Sequence, residues 1–275
     1  MLINGQPGDM VSIHDRGLSY GDGIFETILC EGGKPILLAG HIQRLINGSN
    51  RLKLPVQEQA TVLSEIREVA KQDDCIIKII ITRGARPRGY AYDKDDNTST
   101  RIISKSPILS IPSEYYSQGI SLTRCQYTMP SNHNLAGIKH LNRLDQVLAR
   151  SEVLPDYQEG LMLDDEGSVI EGTMSNVFIE KNNTWFTPML DRSGVKGVMR
   201  QWIMRNSFHA EIECEEKKIG LSDIEDADAM FVCNSVVGIW PVRHFDNSKF
   251  DISESVKCLM NVAHKNLTSL YPSVK

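Results

Sequence analysis

The chain has 275 residues, of which 41% are hydrophobic and 24% charged, enough to build one large globular domain or two smaller ones. The formal net charge of −5 comes without a basic stripe, which argues against nucleic acid as a partner. The opening residues MLINGQPGDM lack the apolar core of a signal peptide, and the most apolar run, CIIKIIIT, is too short to span a bilayer. We therefore expect a cytoplasmic protein with no membrane partner.

Cysteine spacing indicates neither a metal site nor a disulfide framework. None of the six cysteines forms a CxxC pair, and Cys125, Cys214 and Cys258 lie far from a second cysteine or a close histidine. The seven histidines are scattered, without an HExxH motif. We expect no bound metal, and reduced, mostly buried thiols.

The first part of the chain alternates strand and helix patterns. A short N-terminal strand and a glycine-rich turn lead into two strands separated by the turn EGGKP. Apolar spacing predicts a helix over 40–53 and an amphipathic helix over 57–72. The nearly continuous β-branched run at 75–84 predicts a central strand covered on both faces. A long polar loop, RGARPRGYAYDKDDNTST, precedes another strand at 101–111.

The second part of the chain carries more strands. Its predicted elements are, in order, a strand at 120–127, a helix over 141–154, consecutive strands over 159–188, a helix over 195–208, a strand at 226–235 and a helix over 252–269. The stretch IPSEYYSQG resembles a joint, so we predict a smaller N-terminal α/β subdomain over 1–112, a linker over 113–120 and a larger C-terminal subdomain over 121–275. The expected fold class is mixed α/β, with two α/β subdomains and not a single doubly wound sheet.

Lys139 is the first candidate for chemistry. A solvated surface lysine is the plain alternative. Here the small apolar approach LAGI at 135–138 would withdraw the amine from water and favour a role as nucleophile or base. His140 and Asn142 are expected to fix this loop and to cap a helix that begins at Leu141 or Asn142.

Four other features each have a functional and a plain interpretation. Arg44 lies beside the apolar stripe of its helix. Its side chain either extends from the edge of the stripe so that the guanidinium reaches water, or it binds a phosphate through two guanidinium nitrogens. Glu171, at a strand end, either faces solvent or pairs with a protonated ring nitrogen. The glycine-led helix start in GVKGVMRQW offers backbone N–H groups to a phosphate, which alone is a weak signal. Ser235 is either a turn residue or a further phosphate ligand.

These segments occur together in one known family. HIQRL, AGIKHLNRLDQVLAR, EGSVIEGTMSNVFI, GVKGVMRQ and CNSVVGIWPV resemble segments of the fold type IV pyridoxal-phosphate enzymes. That group contains branched-chain aminotransferases, D-amino acid aminotransferases and 4-amino-4-deoxychorismate lyases. The resemblance runs from LINGQ to WPV, nearly the whole chain.

The resemblance implies a role for each candidate. Lys139 would carry pyridoxal 5'-phosphate covalently, and Glu171 would pair with the pyridine nitrogen. The phosphate would be held by Arg44, by the backbone of Val198 and Met199, and by the Ser235 hydroxyl. The family also implies a homodimer, with the site between the two subdomains and a loop of the partner nearby.

Within the family, the lyases are the most similar in their motifs. SNHNLAGIKHLNRLDQVLAR, RGYAY and GDGIFET are similar to lyase sequences, whereas D-amino acid aminotransferases place a histidine where Tyr90 stands. The resemblance therefore implies conversion of 4-amino-4-deoxychorismate to 4-aminobenzoate and pyruvate, for folate biosynthesis. The alternative is a fold type IV aminotransferase acting on D-amino or branched-chain amino acids. A third possibility is a non-catalytic member of the family that only binds a ligand or a partner. Such a protein would have lost Lys139 or Glu171, and the presence of both argues against it.

The long loop would contact the substrate, which carries two carboxylates. Arg88, and with it Arg83 or Arg86, are candidate carboxylate partners, because arginine matches a carboxylate in two-point fashion. Exposed loop arginines without a ligand are the equal alternative. Tyr90 and Tyr92 would line the aromatic ring of the product, unless they only pack on the domain surface.

Overall fold

The computed structural model describes residues 1–274, which divide into two compact units. Unit 1 comprises Met1–Leu109 together with Ile138–Asn142. Unit 2 comprises Ser110–Gly137 and the residues from Arg143 onward. The chain therefore leaves unit 2 for one short segment and then returns to it. The subdomain limits at 112 and 121 stay a prediction. That prediction divides the chain at a single linker, so it does not place Ile138–Asn142 in the first unit.

Unit 1 is an antiparallel sheet with helices. Its strands are β1 (Leu2–Ile3), β2 (Gln6–Pro7), β3 (Gly23–Glu31), β4 (Lys34–Pro35), β5 (Cys75–Thr82) and β6 (Thr100–Ser106), and its helices are α1 (Arg16–Tyr20), α2 (Leu38–Leu52) and α3 (Gln59–Ala70). The strand order is β2-β1-β6-β5-β3-β4. Alternate strand residues and the apolar stripes of α2 and α3 form the core, in which Ile28, Ile66, Ile77 and Ile79 are fully buried.

β5 occupies the central position that its β-branched sequence predicts, between β3 and β6. Ile77, Ile79 and Ile81 are buried on one face, whereas Lys78 is exposed and Ile80 half-buried on the other. Ile76 and Thr82 on that second face are buried, so the expectation that both faces are covered fails at Lys78 and in part at Ile80, and not over the whole face. That expectation was based on a continuous apolar run, which Lys78 interrupts.

Unit 2 is built on a larger mixed sheet. Its strands are β7 (Ile120–Met129), β8 (Glu159–Asp164), β9 (Val169–Gly172), β10 (Asn176–Lys181), β11 (Thr184–Pro188), β12 (Glu213–Lys217), β13 (Ala229–Asn234), β14 (Gly238–Phe245) and β15 (Ser248–Lys249). The order is β12-β11-β10-β13-β14-β7-β8-β9, with β15 on β14, and the β7–β8, β7–β14 and β11–β12 pairs are parallel. The helices are α4 (Glu114–Ser117), α5 (Leu144–Ser151), α6 (Val198–Asn206), α7 (Leu221–Glu225) and α8 (Glu254–Asn266). This mixture confirms the predicted mixed α/β class.

The predicted helix over 141–154 is shorter than expected, since α5 covers only Leu144–Ser151. The residues before it are extended and pair with β3 in unit 1. Asn142 is accordingly not a helix cap: its side-chain Nδ2 donates to the carbonyl of Gly21 at 3.1 Å. The apolar spacing from Leu141 onward is typical of a helix. The backbone of Lys139 and Leu141 instead forms hydrogen bonds with Phe25 and Gly23 of β3, so the helix begins only at Leu144.

Membrane spans, metal ligands and cysteine pairing can each be described for residues 1–274. Over residues 1–274, no helix combines the length and the apolar character that a membrane span requires. The same residues contain no group of histidine, cysteine and carboxylate side chains arranged to hold a metal ion. All six cysteines are free, and four of them are buried.

Candidate active site

Lys139 lies on an extended segment of unit 1 that continues the edge of the sheet beside β3. Phe25 N–H donates to the Lys139 carbonyl and Leu141 N–H donates to the Gly23 carbonyl, each at 3.0 Å. His140 pairs with Ile24 as an isolated antiparallel bridge. Because β4 covers only the far end of β3, at Cys30 and Glu31, this segment pairs with the start of the strand. The backbone of the lysine is therefore held by a sheet and not by a flexible loop.

The Lys139 amine lies over an aromatic ring. Its Nζ is 4.5 Å from the centroid of the Phe25 ring, within the range of a cation–π contact. The residue as a whole is half-buried. Gly21, in the turn after α1, has a φ of +64°, and a Cβ there would come within 2.4 Å of Asn142 Oδ1. A glycine is needed at this point for Asn142 to hold the lysine segment.

Arg44 and His41, one helical turn apart on α2, meet the same buried carboxylate of Glu26 on β3. Arg44 donates from Nε to Oε1 and from Nη2 to Oε2 of Glu26, both at 2.6 Å. His41 Nδ1 lies 2.6 Å from Oε2. The Glu26 side chain is 1% exposed and that of Arg44 9%. This side-on pair fixes the plane of the guanidinium.

The charges in this group follow from burial and pairing. Burial acts to raise the pKa of Glu26, but the charge of Arg44 and the hydrogen bonds outweigh it and lower that pKa to about 2. Burial lowers the pKa of His41, as do the positive charges of Arg44 and Lys139, while Glu26 opposes them. At neutral pH we therefore assign an ionised Glu26 and a neutral His41 that carries its proton on Nδ1.

Glu171 is a buried carboxylate of unit 2, at 5% exposure near the end of β9. It accepts from Val195 N–H at 2.9 Å, from Gln146 Nε2 at 3.3 Å and from Asn176 Nδ2 at 3.4 Å. The interpretation of Glu171 as a solvent-facing strand end is therefore wrong. Amide donors from three separate segments hold the carboxylate in one orientation.

The start of α6 lies next to this carboxylate network. The N-cap is Gly197, no side chain caps the helix, and Val198 and Met199 are buried. A Cβ on Gly197 would lie 1.9 Å from Asn176 Oδ1, so only glycine lets the first turn approach Asn176. The first N–H groups of a helix have no partner within the helix, and they favour an anion. Ser235, half-buried, follows directly after β13 in the same unit.

The predicted substrate residues are on the loop between β5 and β6 in unit 1. Arg88 is exposed, Tyr90 is 83% exposed and Tyr92 is half-buried. Arg83 is a different case: it is 5% exposed and donates to Asp22 and to the carbonyls of Leu52 and Lys53. The expectation that Arg83 contacts a substrate carboxylate is therefore wrong, because its guanidinium is used within the fold.

Arg86 is also bound within unit 1. Its Nη1 and Nη2 donate to the carbonyls of Ala85 and Thr98, and Nη2 lies 3.3 Å from Asp96 Oδ2. Among the three candidate arginines, Arg88 is the one whose side chain the described residues do not engage. The structure therefore favours Arg88 over Arg83 and Arg86 as a ligand for a substrate carboxylate.

Sequence reasoning missed Glu26 and His41, although a signal for both exists. Glu26 stands between Ile24 and Ile28 on alternate positions of β3, so it shares their buried face. A carboxylate on an apolar face requires a partner, and His41 and Arg44 supply it from one face of α2.

Comparison with known proteins places these features in one family. The profile of the family described as amino-transferase class IV matches residues 23–245. An aminodeoxychorismate lyase from Vibrio harveyi is 33% identical over 245 residues, 87% of this chain and 89% of the relative. A putative branched-chain-amino-acid aminotransferase from Methanocaldococcus jannaschii is 31% identical over 242 residues, 86% of this chain and 83% of the relative.

Solved structures give the same result. The crystal structure of 4-amino-4-deoxychorismate lyase from Pseudomonas aeruginosa matches with a TM-score of 0.92 and 37% identity, over 96% of this chain and 98% of that one. The family profile covers well over half of the residues, including β3, the Lys139 segment, Glu171 and the start of α6. The chain belongs to the class IV aminotransferase family.

Proposed function

We propose that the protein is a pyridoxal-phosphate-dependent lyase that converts 4-amino-4-deoxychorismate to 4-aminobenzoate and pyruvate. The similarity to the Pseudomonas aeruginosa lyase, 37% identity across 96% of this chain, is the observation that carries the proposal. The 33% identity with the Vibrio harveyi lyase supports it independently.

The donor groups of the chain fit the cofactor. Lys139 provides a primary amine for an aldehyde, and Glu171 provides a buried carboxylate for a ring nitrogen. The groups proposed for the phosphate are the guanidinium of Arg44, the backbone N–H groups of Val198 and Met199, and the hydroxyl of Ser235. Helix N-termini and guanidinium groups both bind phosphate in proteins, and a hydroxyl can donate a further hydrogen bond.

The proposed chemistry depends on Lys139 as a proton carrier. Pyridoxal phosphate, when bound, supplies an electron sink for the electron pair left by a departing proton. Lys139 Nζ removes the proton from the amine-bearing carbon of the substrate. The electron pair then forms a ring double bond as the bond between the adjacent ring carbon and the enolpyruvyl oxygen breaks, and the Lys139 ammonium gives its proton to the methylene carbon of the leaving group, which becomes pyruvate. Glu171 would stabilise a proton on the ring nitrogen of the bound cofactor, which would strengthen the electron sink.

Arg88 and the tyrosines would bind the substrate. The guanidinium of Arg88 is exposed and suits a carboxylate, and the rings of Tyr90 and Tyr92 suit the six-membered ring. Loss of the enolpyruvyl group makes that ring aromatic, so the reaction runs in one direction without any second substrate.

The experiment that tests the function is a product assay. Purified protein loaded with pyridoxal phosphate receives 4-amino-4-deoxychorismate without a keto acid, and 4-aminobenzoate and pyruvate are both measured. Equal formation of the two establishes the lyase. A Lys139→Ala protein should form neither product and should yield no borohydride-reducible cofactor link at this peptide. A link that persists there in Lys139→Ala contradicts the assignment of the lysine.

An aminotransferase is the second candidate, favoured by the 31% identity with the Methanocaldococcus jannaschii relative. It would use the same Lys139, Arg44 and Glu171 and differ in the substrate loop. Turnover of a D-amino or branched-chain amino acid with a keto-acid acceptor, in the absence of lyase products, would select this function.

We also propose that the enzyme is a cytoplasmic homodimer. The resemblance implies the dimer, and an apolar face of α5 supports it. Leu144, Val147 and Leu148, at helical spacing, are 74%, 59% and 49% exposed. Apolar stripes of this kind on a helix normally meet a partner.

A further inference from the structure

Two buried arginines of unit 1 converge on one carboxylate, that of Asp22. Arg16, on α1, is 4% exposed, and Arg83, directly after β5, is 5% exposed. Nε of each donates to Asp22 Oδ2 at 2.8 Å, and Arg83 Nη2 also donates to Oδ1 at 3.0 Å. Charge-assisted bonds of this kind hold both guanidinium planes in place.

The remaining donors of Arg16 reach into the loop that contains the proposed substrate residues. Its Nη1 donates to the Gly89 carbonyl at 2.7 Å and its Nη2 to the Tyr90 carbonyl at 3.1 Å. These two carbonyls directly follow Arg88 in the chain. One buried side chain, fixed at its Nε by Asp22, therefore sets the path of the loop backbone at residues 89 and 90.

Further contacts fix the same stretch, residues 88–92, which we call the tyrosine loop. Gly89 N–H donates to the Tyr20 hydroxyl at 3.2 Å, and the rings of Tyr20 and Tyr90 lie 5.3 Å apart. The Arg83 guanidinium carbon lies 3.8 Å from the centroid of the Tyr92 ring, a close cation–π contact. On the C-terminal side of Arg88, the backbone is thus held at residues 89 and 90, and the ring of Tyr92 is held two residues further on.

Gly89 adds a sharp turn next to Arg88. Its φ of +119° is a conformation that residues with a side chain rarely adopt. Arg88 itself is exposed, and no hydrogen bond or ion pair joins its side chain to the rest of residues 1–274. A rigid backbone therefore displays a guanidinium that the fold does not use, in contrast to Arg83 and Arg86.

We propose that Arg16 is a positioning residue for substrate binding: by holding the Gly89 and Tyr90 carbonyls while anchored to Asp22, it presents Arg88 to a carboxylate of the substrate. This inference depends on the proposed lyase function, and it adds a residue outside the substrate-contacting set. Lysine cannot replace Arg16 in this role, because one ammonium nitrogen cannot span a carboxylate and two separate carbonyls as the planar fork does.

The test compares Arg16→Lys with wild type. We expect KM for 4-amino-4-deoxychorismate to rise about tenfold while kcat stays within about twofold, since substrate binding weakens and the reacting groups are unchanged. Amide hydrogen exchange at residues 89–92 should become faster, and the affinity for pyridoxal phosphate should not change. Arg101→Lys is the matched control: Arg101 pairs with the Glu65 carboxylate in the same unit and does not contact the tyrosine loop.

A double-mutant cycle with Arg88→Gln shows whether the effect passes through Arg88. In the wild-type background Arg88→Gln should raise KM about tenfold, and in the Arg16→Lys background by less than about threefold. The inference is overturned if KM is unchanged in Arg16→Lys, or if the effects of Arg16→Lys and Arg88→Gln on KM are fully additive. In either case, the proposed function still stands if the wild-type protein has lyase activity. Wild-type protein that binds the cofactor but forms no 4-aminobenzoate refutes the function, and the inference with it.

Discussion

The carboxylate of Glu26 and the guanidinium of Arg44 form a side-on pair in which both hydrogen bonds measure 2.6 Å. Both side chains are largely withdrawn from water, at 1% and 9% exposure. The charge on each one is therefore compensated in good part by the other. This pair fixes Arg44 before any ligand arrives.

Glu26→Gln should lower the free energy of unfolding by about 3–5 kcal/mol, because it leaves a buried arginine without its counter-charge. Urea denaturation of the cofactor-free protein measures the change. Glu26→Gln/Arg44→Met removes both charges and should recover part of the loss. A double variant at least as unstable as the sum of both single variants would show that the two residues stabilise the fold independently.

The same carboxylate predicts a pH dependence of stability. In the unfolded chain Glu26 titrates near 4.5, whereas pairing with Arg44 outweighs the effect of burial and lowers the folded-state pKa to about 2. Between those values the unfolded state binds the additional proton, so stability is fully present above about pH 4.5 and is lost toward pH 2. Wild type should lose up to ~1.4 kcal/mol more per pH unit in this window than Glu26→Gln. Unfolding free energies from urea titrations between pH 3 and 5 give both slopes, and equal slopes would contradict the assignment.

Glu171→Gln should lower kcat about a hundredfold, the typical cost of removing one charge-stabilising group at a reacting centre. The amide keeps the shape of the side chain but cannot hold a proton on a ring nitrogen. Glu180→Gln is a suitable control: Glu180 is a buried carboxylate on β10 of the same unit, bonded to Ser253 and Ser255. Steady-state lyase assays decide, and a similar loss in both variants would mean that general destabilisation is the cause.

The apolar face of α5 predicts a quaternary contact. In the proposed dimer this face is buried against the partner, so the double variant Val147→Lys/Leu148→Lys should shift the protein to monomer in sedimentation velocity runs, because the interface would have to bury two charges. Phe208→Lys, at a residue 64% exposed in the same unit, is the control and should leave the dimer intact. A double variant that remains dimeric would exclude this face as the interface.

Much of the fold could be predicted from periodicity and turn residues. α2 and α3 follow apolar spacing, and β5 follows its β-branched run, because each of these signals is local. The path of residues 138–142 could not be predicted in this way. Their pairing with Gly23 and Phe25 joins positions more than a hundred residues apart, and only the folded sheet shows that β3 has an edge for them.

The site shows the same division. Lys139, Arg44 and Glu171 could be selected because their motifs occur together in one family. Arg83 could be named only as a candidate, because its sequence context is the same whether its guanidinium meets a ligand or Asp22. Arg16 and Asp22 were missed for the related reason that their partners, the carbonyls of Gly89 and Tyr90, are backbone atoms without a sequence signature.

The pairing of the Lys139 segment with β3 also has a consequence for folding during translation. A growing polypeptide that ends near Leu109 has synthesised all of unit 1 except Ile138–Asn142. Until those residues emerge, the N–H and carbonyl groups at Gly23 and Phe25 form an open strand edge, which invites pairing with other chains. Ribosome-bound or truncated chains should therefore aggregate more readily than chains extended past Asn142. A fragment of residues 1–109 should be rescued by a synthetic peptide spanning 137–143, added as a separate molecule.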